Sequence, residues 1–343
     1  MMMEGHSIRT HLDELADAIT DRHFAAHPEV LQRYPEVGRQ RCLEDARFHL
    51  RYLASALDAG STAMFLDYIA WAKVMLATRN VPANDLEENL RIIAGTLGEA
   101  THPEALATIE AAIEQLPSMP DGVPSFLDPR APHWATASEY LNALLRGSRA
   151  DAMAAVRSAI DAGTPLREIY GHVFEPAQQE IGRLWQLNRI SVAQEHYCTA
   201  ATQHIMTGLY AQVFAGEKKG LRAVAMCVGG ELHEIGLRII TDLLELEGWQ
   251  TWYLGASVPP VAAVQLCAEQ KANVLLVSAT LPPHIAEVAE VIRHFRARAE
   301  LAQAKIIVGG RAFRTAPEVW RTIGADGYAG NADDCLALID RLT

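Results

Sequence analysis

The sequence predicts an all-α N-terminal half, a helical domain plus a four-helix bundle, followed by an α/β doubly wound sheet of five parallel strands. Three observations carry that expectation. Apolar residues recur at helical spacing from the N-terminus to about residue 216. Five prolines and a glycine crowd into LPSMPDGVPSFLDPRAP, residues 116–132, and divide the helical region in two. From residue 221 onward, short apolar runs alternate with amphipathic ones, the pattern of a parallel sheet wound with helices.

The first domain is expected over residues 1–116. Its helical runs are IRTHLDELADAITDRHF, VGRQRCLEDARFHLRYLASALDAG, STAMFLDYIAWAKVMLATRN, DLEENLRIIAGTLGEA and PEALATIEAAIEQL, and Pro28, Pro35, Pro82 and Pro103 punctuate them. Residues 117–132 read as a Pro-rich linker or structureless strap. Residues 133–217 supply four further helical runs, enough for a small antiparallel bundle. The third of these, TPLREIYGHVFEPAQQEIGRLWQLN, starts at Thr-Pro and holds an internal Pro176 that should kink it; the fourth opens at Ser191. Residues 218–343 carry strands at AVAMCVG, TWYLG, VLLVSA, KIIVGG and GYAG. Helices are expected at LRIITDLLELEG, VAAVQLCAEQK, IAEVAEVIRHFRARAE, APEVWRTIG and DDCLALIDRL.

Bulk properties remove several function classes. With 343 residues and half of them hydrophobic, the chain can build two or three cores. A net charge of −12, with no long block of like charge, argues against direct nucleic-acid binding. Five cysteines with no CxxC pair read as free thiols. The N-terminal MMMEGHSIRTHLDEL has no apolar signal core, and no run is long and apolar enough for a membrane span. A cytoplasmic protein with no membrane contact is expected.

The chemistry should lie on loops at the carboxyl ends of the strands. Glu231-Leu232-His233-Glu234-Ile235-Gly236 follows the first strand, Ser278-Ala279-Thr280 the third, and Gly309-Gly310 the fourth. No GxGxxG phosphate fingerprint stands in the first turn, which speaks against a dinucleotide. A neutral imidazole on such a loop is a good transition-metal ligand, and Glu231 is placed to fix its tautomer. Taken alone, His233 reads more readily as a helix-start histidine bonded to a backbone group.

The three segments together resemble the cobalamin-binding domain shared by corrinoid methyltransferases and B12 mutases, a Rossmann-like fold. The resemblance covers residues 221–343. It implies His233 as the lower ligand of cobalt, Glu231 as the residue that orients it, and a slot for the nucleotide tail lined by Ser278, Thr280, Gly309 and Gly310, with Gly236 closing the motif. The usual residue at position 231 is aspartate; glutamate keeps the charge on a longer arm.

Upstream, Trp185 is followed after nine residues by Glu195-His196. Trp-x9-Glu-His resembles the signature of the adenosylcobalamin-binding photoreceptors related to light-responsive carotenoid repressors. There the bundle caps the corrin, the tryptophan covers the adenosyl group and the Glu-His pair contacts it. The residue after the tryptophan is a second histidine in those repressors; here it is Gln186, which puts the post-illumination chemistry in doubt. Those repressors also carry a winged helix, for which this chain has helical residues without a recognition helix.

In the first domain, Arg41, Asp45, Phe48 or His49, and Tyr52 share one helix face, and the next helix supplies Tyr68, Trp71 and Lys73. That is either a salt-bridged stripe beside an aromatic core or a pocket for a conjugated dianion, with Asp45, His49, Arg51 and Tyr52 as contacts. The three-part architecture resembles the photocobilins, which pair B12 with biliverdin; Cys42 is a tether candidate or a buried thiol. The expected function is a light sensor, not an enzyme, whose partners are a light-dependent homo-oligomer or a separate effector. The rivals are a corrinoid carrier for a methyltransferase and a light-independent cobalamin-responsive regulator.

Overall fold

In the computed structural model, the described residues are 2–27, 37–98, 101–214 and 216–343. The expected breaks at Pro28 and Pro35 lie outside them. The chain separates into two compact units, residues 1–122 and 123–343.

The first unit is helical: α1 (Met2–Thr10), α2 (Leu12–Ala26), α3 (Val37–Ala59), α4 (Thr62–Ala77), α5 (Ala83–Leu97) and α6 (Pro103–Gln115). α3 packs against α1, α2 and α4, and Ile8, Ile19, Leu50, Leu53, Phe65, Ile69, Leu90 and Ile109 fill the core. Pro103 stands in the first turn of α6, where its missing N–H costs nothing. The buried Lys73 donates to the carbonyl of Met119 and pairs with Asp121, both at 2.7 Å. The start of the proline-rich segment is therefore fastened to α4.

The second unit opens with the rest of that segment, which is irregular but pinned. Phe126 N–H donates to Glu180 at 2.9 Å, and Arg183 donates to the carbonyl of Val123 at 3.0 Å. Helices α7 (Trp134–Leu145), α8 (Arg149–Asp161), α9 (Leu166–Ile169), α10 (Glu175–Gln186), α11 (Val192–Thr207) and α12 (Tyr210–Val213) follow. α9 and α10 are halves of one rod joined by a π turn over Tyr170–Phe174. Pro176 at the head of α10 cannot donate, and the wider π turn occupies the residues just before it. Ser191 caps α11, its hydroxyl accepting from Gln194 N–H while the Gln194 side chain accepts from Ser191 N–H.

The sheet comprises β1 (Arg222–Cys227), β2 (Gln250–Tyr253), β3 (Val274–Ser278), β4 (Lys305–Gly309) and β5 (Gly327–Ala329), all parallel, in the order 2-1-3-4-5. Helices α13 (Ile235–Leu246), α14 (Pro260–Gln270), α15 (Ile285–Arg296), α16 (Val319–Thr322) and α17 (Ala332–Leu342) complete the winding. The expected helix over APEVWRTIG shrinks to the single turn of α16. β1, β3 and β4 are buried on both faces, which is why they read as unbroken apolar runs. The direction of winding reverses between β1 and β3, where a ligand crevice opens in folds of this order.

Along α13, Glu234, Arg238 and Asp242 stand four residues apart and meet the bundle. Gln203 donates to Glu234, Arg238 donates to Thr207 at 2.8 Å and to the Tyr210 hydroxyl at 2.9 Å, and the Tyr170 hydroxyl donates to Asp242 at 2.8 Å. The bundle is thus seated on the sheet domain through a polar stripe inside an apolar frame.

Candidate functional site

The site is built at the switch point. Cys227, Ser278, Gly309 and Ala329 pair in register, so one row of small residues crosses the carboxyl ends of β1, β3, β4 and β5. Gly310 has φ +96°, and a Cβ there would stand 2.2 Å from the carbonyl oxygen of Ala279. Only glycine lets the two strand exits pass so closely. The structure therefore gives Gly310 a backbone reason besides any ligand.

After β1, Gly230 turns the chain with φ +76° and the loop carries Glu231 inward. Glu231 is fully buried, and its two oxygens are divided between two loops. One accepts from His233 Nδ1 at 2.5 Å and from His233 N–H at 3.0 Å. The other accepts from Thr280 N–H at 2.6 Å, Leu281 N–H at 3.3 Å and His284 Nδ1 at 3.1 Å. Burial alone would raise the Glu231 pKa, but the hydrogen bonds from the two histidines outweigh it and hold the carboxyl well below its usual range. A buried carboxylate survives only with such company.

The His233 side chain is 60% exposed. Its hydrogen bond to Glu231 raises its pKa against the opposing effect of burial. Glu195 on α11 adds to that rise through space, and Arg311 after β4 opposes it. With Nδ1 committed to Glu231, the lone pair of neutral His233 lies on Nε2.

The cap residues all belong to the second unit. Trp185, in the last turn of α10, is half-buried against the core, and Gln186, which ends that helix, is buried. Glu195, in the first turn of α11, pairs with the exposed His196 at 2.5 Å and accepts from Thr199 at 3.2 Å. The structure brings Glu195 toward His233 but places Gln186 in the bundle interior. Leu232, beside His233, and Val192, at the head of α11, are 70% and 52% exposed, so apolar surface flanks both partners.

Ser278 and Thr280 are half-buried at the end of β3, with Thr280 holding Glu231 by its backbone rather than its hydroxyl. Gly236 opens α13 with free space on its side-chain face. His284, which lies beyond the Ser-x-Thr segment, and Glu234, which also accepts from the Tyr253 hydroxyl at 2.9 Å, are site residues that motif reading passes over.

A corrinoid suits this set. Among the described residues no three His, Cys, Asp or Glu side chains converge as metal ligands. His233 offers one nitrogen, which fits a metal that brings its own in-plane ligands. The row of small residues at the strand ends and the apolar flanks fit the remainder of such a group.

The first unit holds a different cluster. His49 is buried, accepts or donates at Nδ1 with the Tyr68 hydroxyl at 2.9 Å, and is driven by burial to a pKa of about 4. Tyr52 stacks on Tyr68, ring centres 3.8 Å apart and planes at 15°. Asp45 is accessible yet raised to about 6, first by desolvation and then by Glu44, with Arg41 opposing. Asp45, His49 and Tyr52 share a face; Arg51 is exposed and lies about 120° around the helix from Asp45 at ~100° per residue. Arg51 therefore does not join them. Cys42 is half-buried and its thiol is raised by burial.

Residues 221–339 match the family described as B12 binding domain, and residues 136–210 match a second family of the same description. Dimethylamine corrinoid protein 3 of Methanosarcina acetivorans is 25% identical over 201 residues, covering 58% of this chain and 92% of its own. The HTH-type transcriptional repressor CarA of Myxococcus xanthus is 28% identical over 153 residues, 44% of this chain and 51% of the repressor. The structure of Methanosarcina barkeri monomethylamine corrinoid protein superposes with a TM-score of 0.54 at 20% identity, covering 61% of this chain and all of that one. The fold expected from the sequence is the fold observed, and the second unit binds cobalamin. Among the described residues no helix is long and apolar enough to cross a membrane.

Proposed function

We propose that the chain is a light-sensing cobalamin-binding protein that holds adenosylcobalamin between the bundle and the sheet. It is a binder and not an enzyme. The observation that carries this reading is the opposition of Glu195 on the cap to His233 on the loop, with Trp185 upstream on the same bundle. His233 Nε2 would meet cobalt from below, oriented by Glu231. Trp185 would shield the upper face from water, and Glu195 with His196 would contact the adenosyl group. Adenosylcobalamin supplies a cobalt–carbon bond that light breaks. The polar stripe of Glu234, Arg238 and Asp242 is then the seam along which the bundle can shift, since exchanging hydrogen bonds between protein and water costs little net free energy.

The output proposed is a change in oligomeric state or in contact with a separate effector protein, without direct nucleic-acid or membrane binding and in the cytoplasm. Functional divisions at 1–116, 117–132, 133–217 and 218–343 go with this reading. Biliverdin is the proposed second chromophore, at Asp45, His49 and Tyr52. A second reading, a corrinoid carrier for a methyltransferase, is favoured by the 92% coverage of the dimethylamine corrinoid protein. Trp185 with Glu195-His196 favours the first.

The test is to prepare the chain in darkness with adenosylcobalamin and biliverdin, then record absorption and elution volume before and after green and red light. A spectral change with altered elution is expected. Spectra unmoved by illumination would overturn light sensing and leave the carrier. A chain that takes up cobalamin but no biliverdin would return Asp45 and Tyr52 to a surface stripe.

A further inference from the structure

The proline-rich segment has no regular structure, yet buried charges on two helices hold it, and a passive linker needs neither. Lys73 on α4 is only 7% exposed, a rare place for a lysine without partners. It donates to the carbonyl of the buried Met119 and pairs with Asp121, both at 2.7 Å. Glu180 and Arg183 on α10 are 6% and 12% exposed and form an ion pair at 2.6 Å. Both also reach the segment: Glu180 accepts from Phe126 N–H at 2.9 Å, and Arg183 donates to the Val123 carbonyl at 3.0 Å. Each fastening lies within its own unit. Between the held carbonyls of Met119 and Val123 stand Pro120, Asp121 and Gly122. The ring of Pro120 fixes its φ, and Asp121 is paired with Lys73, so Gly122 is left as the joint.

The two fastening helices also carry candidate ligand groups. Trp185 lies two residues after Arg183 on α10, while Tyr68 and Trp71 lie five and two residues before Lys73 on α4. Helices act as stiff elements over so short a distance, so restraint at Trp185 is felt at Arg183. We propose that residues 119–127 are a tether that couples cobalamin binding in the second unit to the stability of α4 in the first. This rests on the reading of Trp185 as the cap over the corrin. A corrin held under Trp185 restrains α10, and α10 restrains Val123 through Arg183. Gly122 and Asp121 pass that restraint to Lys73. A slack linker would lose it, because a flexible coil fixes no distance between its ends.

Lengthening the joint tests the tether without touching either fastening. A Gly-Ser-Gly-Ser insert is placed between Gly122 and Val123; a Cβ on Gly122 would meet nothing within 4 Å, so the site has room. Amide hydrogen exchange of α4 and α10 is followed in the full chain, in darkness, with and without adenosylcobalamin. In wild type, cobalamin should slow exchange in both helices, by about fivefold or more in α4. In the lengthened chain α10 should still be slowed and α4 should not. Lys73→Met, which frees the segment from α4, should abolish the α4 response as well. An α4 response kept in either variant would overturn the proposal, as would a wild-type α4 left unchanged while α10 is slowed. So would a lengthened chain that does not fold, since the segment would then be a brace. Cobalamin bound with α10 unchanged would overturn the capping role of Trp185 and the tether with it, a failure that the α10 signal alone identifies.

Discussion

His233 and His49 occupy opposite circumstances, and the contrast shows what makes a histidine available to a ligand. His233 is accessible, has a buried carboxylate on Nδ1 and has its pKa raised. His49 is buried, has a phenol on Nδ1 and is depressed to about 4. A carboxylate enriches the ring and fixes its tautomer while leaving Nε2 outward. A buried phenol satisfies the ring without charging it, which is how a core histidine is housed. Of the two clusters suggested by sequence, the one in the second unit has the electronic arrangement of a ligand site. In the first unit Asp45 is exposed and Tyr52 half-buried beside His49, and Phe48 on the same helix is half exposed.

Exchanging each histidine for alanine should separate packing from ligation. His49→Ala opens a cavity and orphans the Tyr68 hydroxyl, so unfolding should become easier by about 2–4 kcal/mol with cobalamin affinity unchanged. His233→Ala takes one donor from the buried Glu231, so the cobalamin-free chain should lose about 1–3 kcal/mol while lower ligation is lost as well. Denaturant melts and cobalamin spectra of the two variants read this directly. Two variants with the same cobalamin spectrum would erase the distinction. The next largest effect should come from Glu231→Gln, which keeps the shape and removes the charge. Affinity for cobalamin should drop about 10–100-fold, measured by titration; an unchanged affinity would show that His233 does not depend on its carboxylate.

The strands could be read because β1, β3 and β4 are buried on both faces and leave continuous apolar runs, and the pairing of Glu231 with His233 because the two sit two residues apart on one loop. His284 could not be read. It meets Glu231 across 53 residues of sequence, and only the adjacency of β1 and β3 brings them together. The stripe of Glu234, Arg238 and Asp242 was hidden for a different reason. Polar residues four apart look like the solvent face of an amphipathic helix, yet Arg238 and Asp242 are buried because the bundle covers that face. Arg51 misled in the opposite direction, since residue type suggested a contact that the helical repeat turns away. Pro176 marked its site correctly, but a rod joined to its neighbours can absorb the missing N–H as a π turn.

The smallest effects are in the pH dependence of the first unit, where two groups oppose each other. His49 ionises near 6.5 when unfolded and near 4 when folded, so the folded chain binds fewer protons between those values. Its contribution to stability is fully present above pH 6.5 and is lost as pH falls toward 4. A depression of that size corresponds to about 3 kcal/mol. Asp45 does the reverse: raised from 3.8 to about 6, it favours the folded state at low pH and loses that contribution as pH rises through 6. Being accessible, it should weigh less than His49. Wild-type stability should therefore fall on acidification from pH 6.5 to 4, less steeply than His49 alone would dictate. His49→Phe should flatten the fall, and Asp45→Asn should steepen it by removing the opposing group. Urea melts at pH 4.5, 5.5 and 6.5 would show both changes, and an Asp45→Asn profile shallower than wild type would mean that Asp45 is not desolvated in the folded chain.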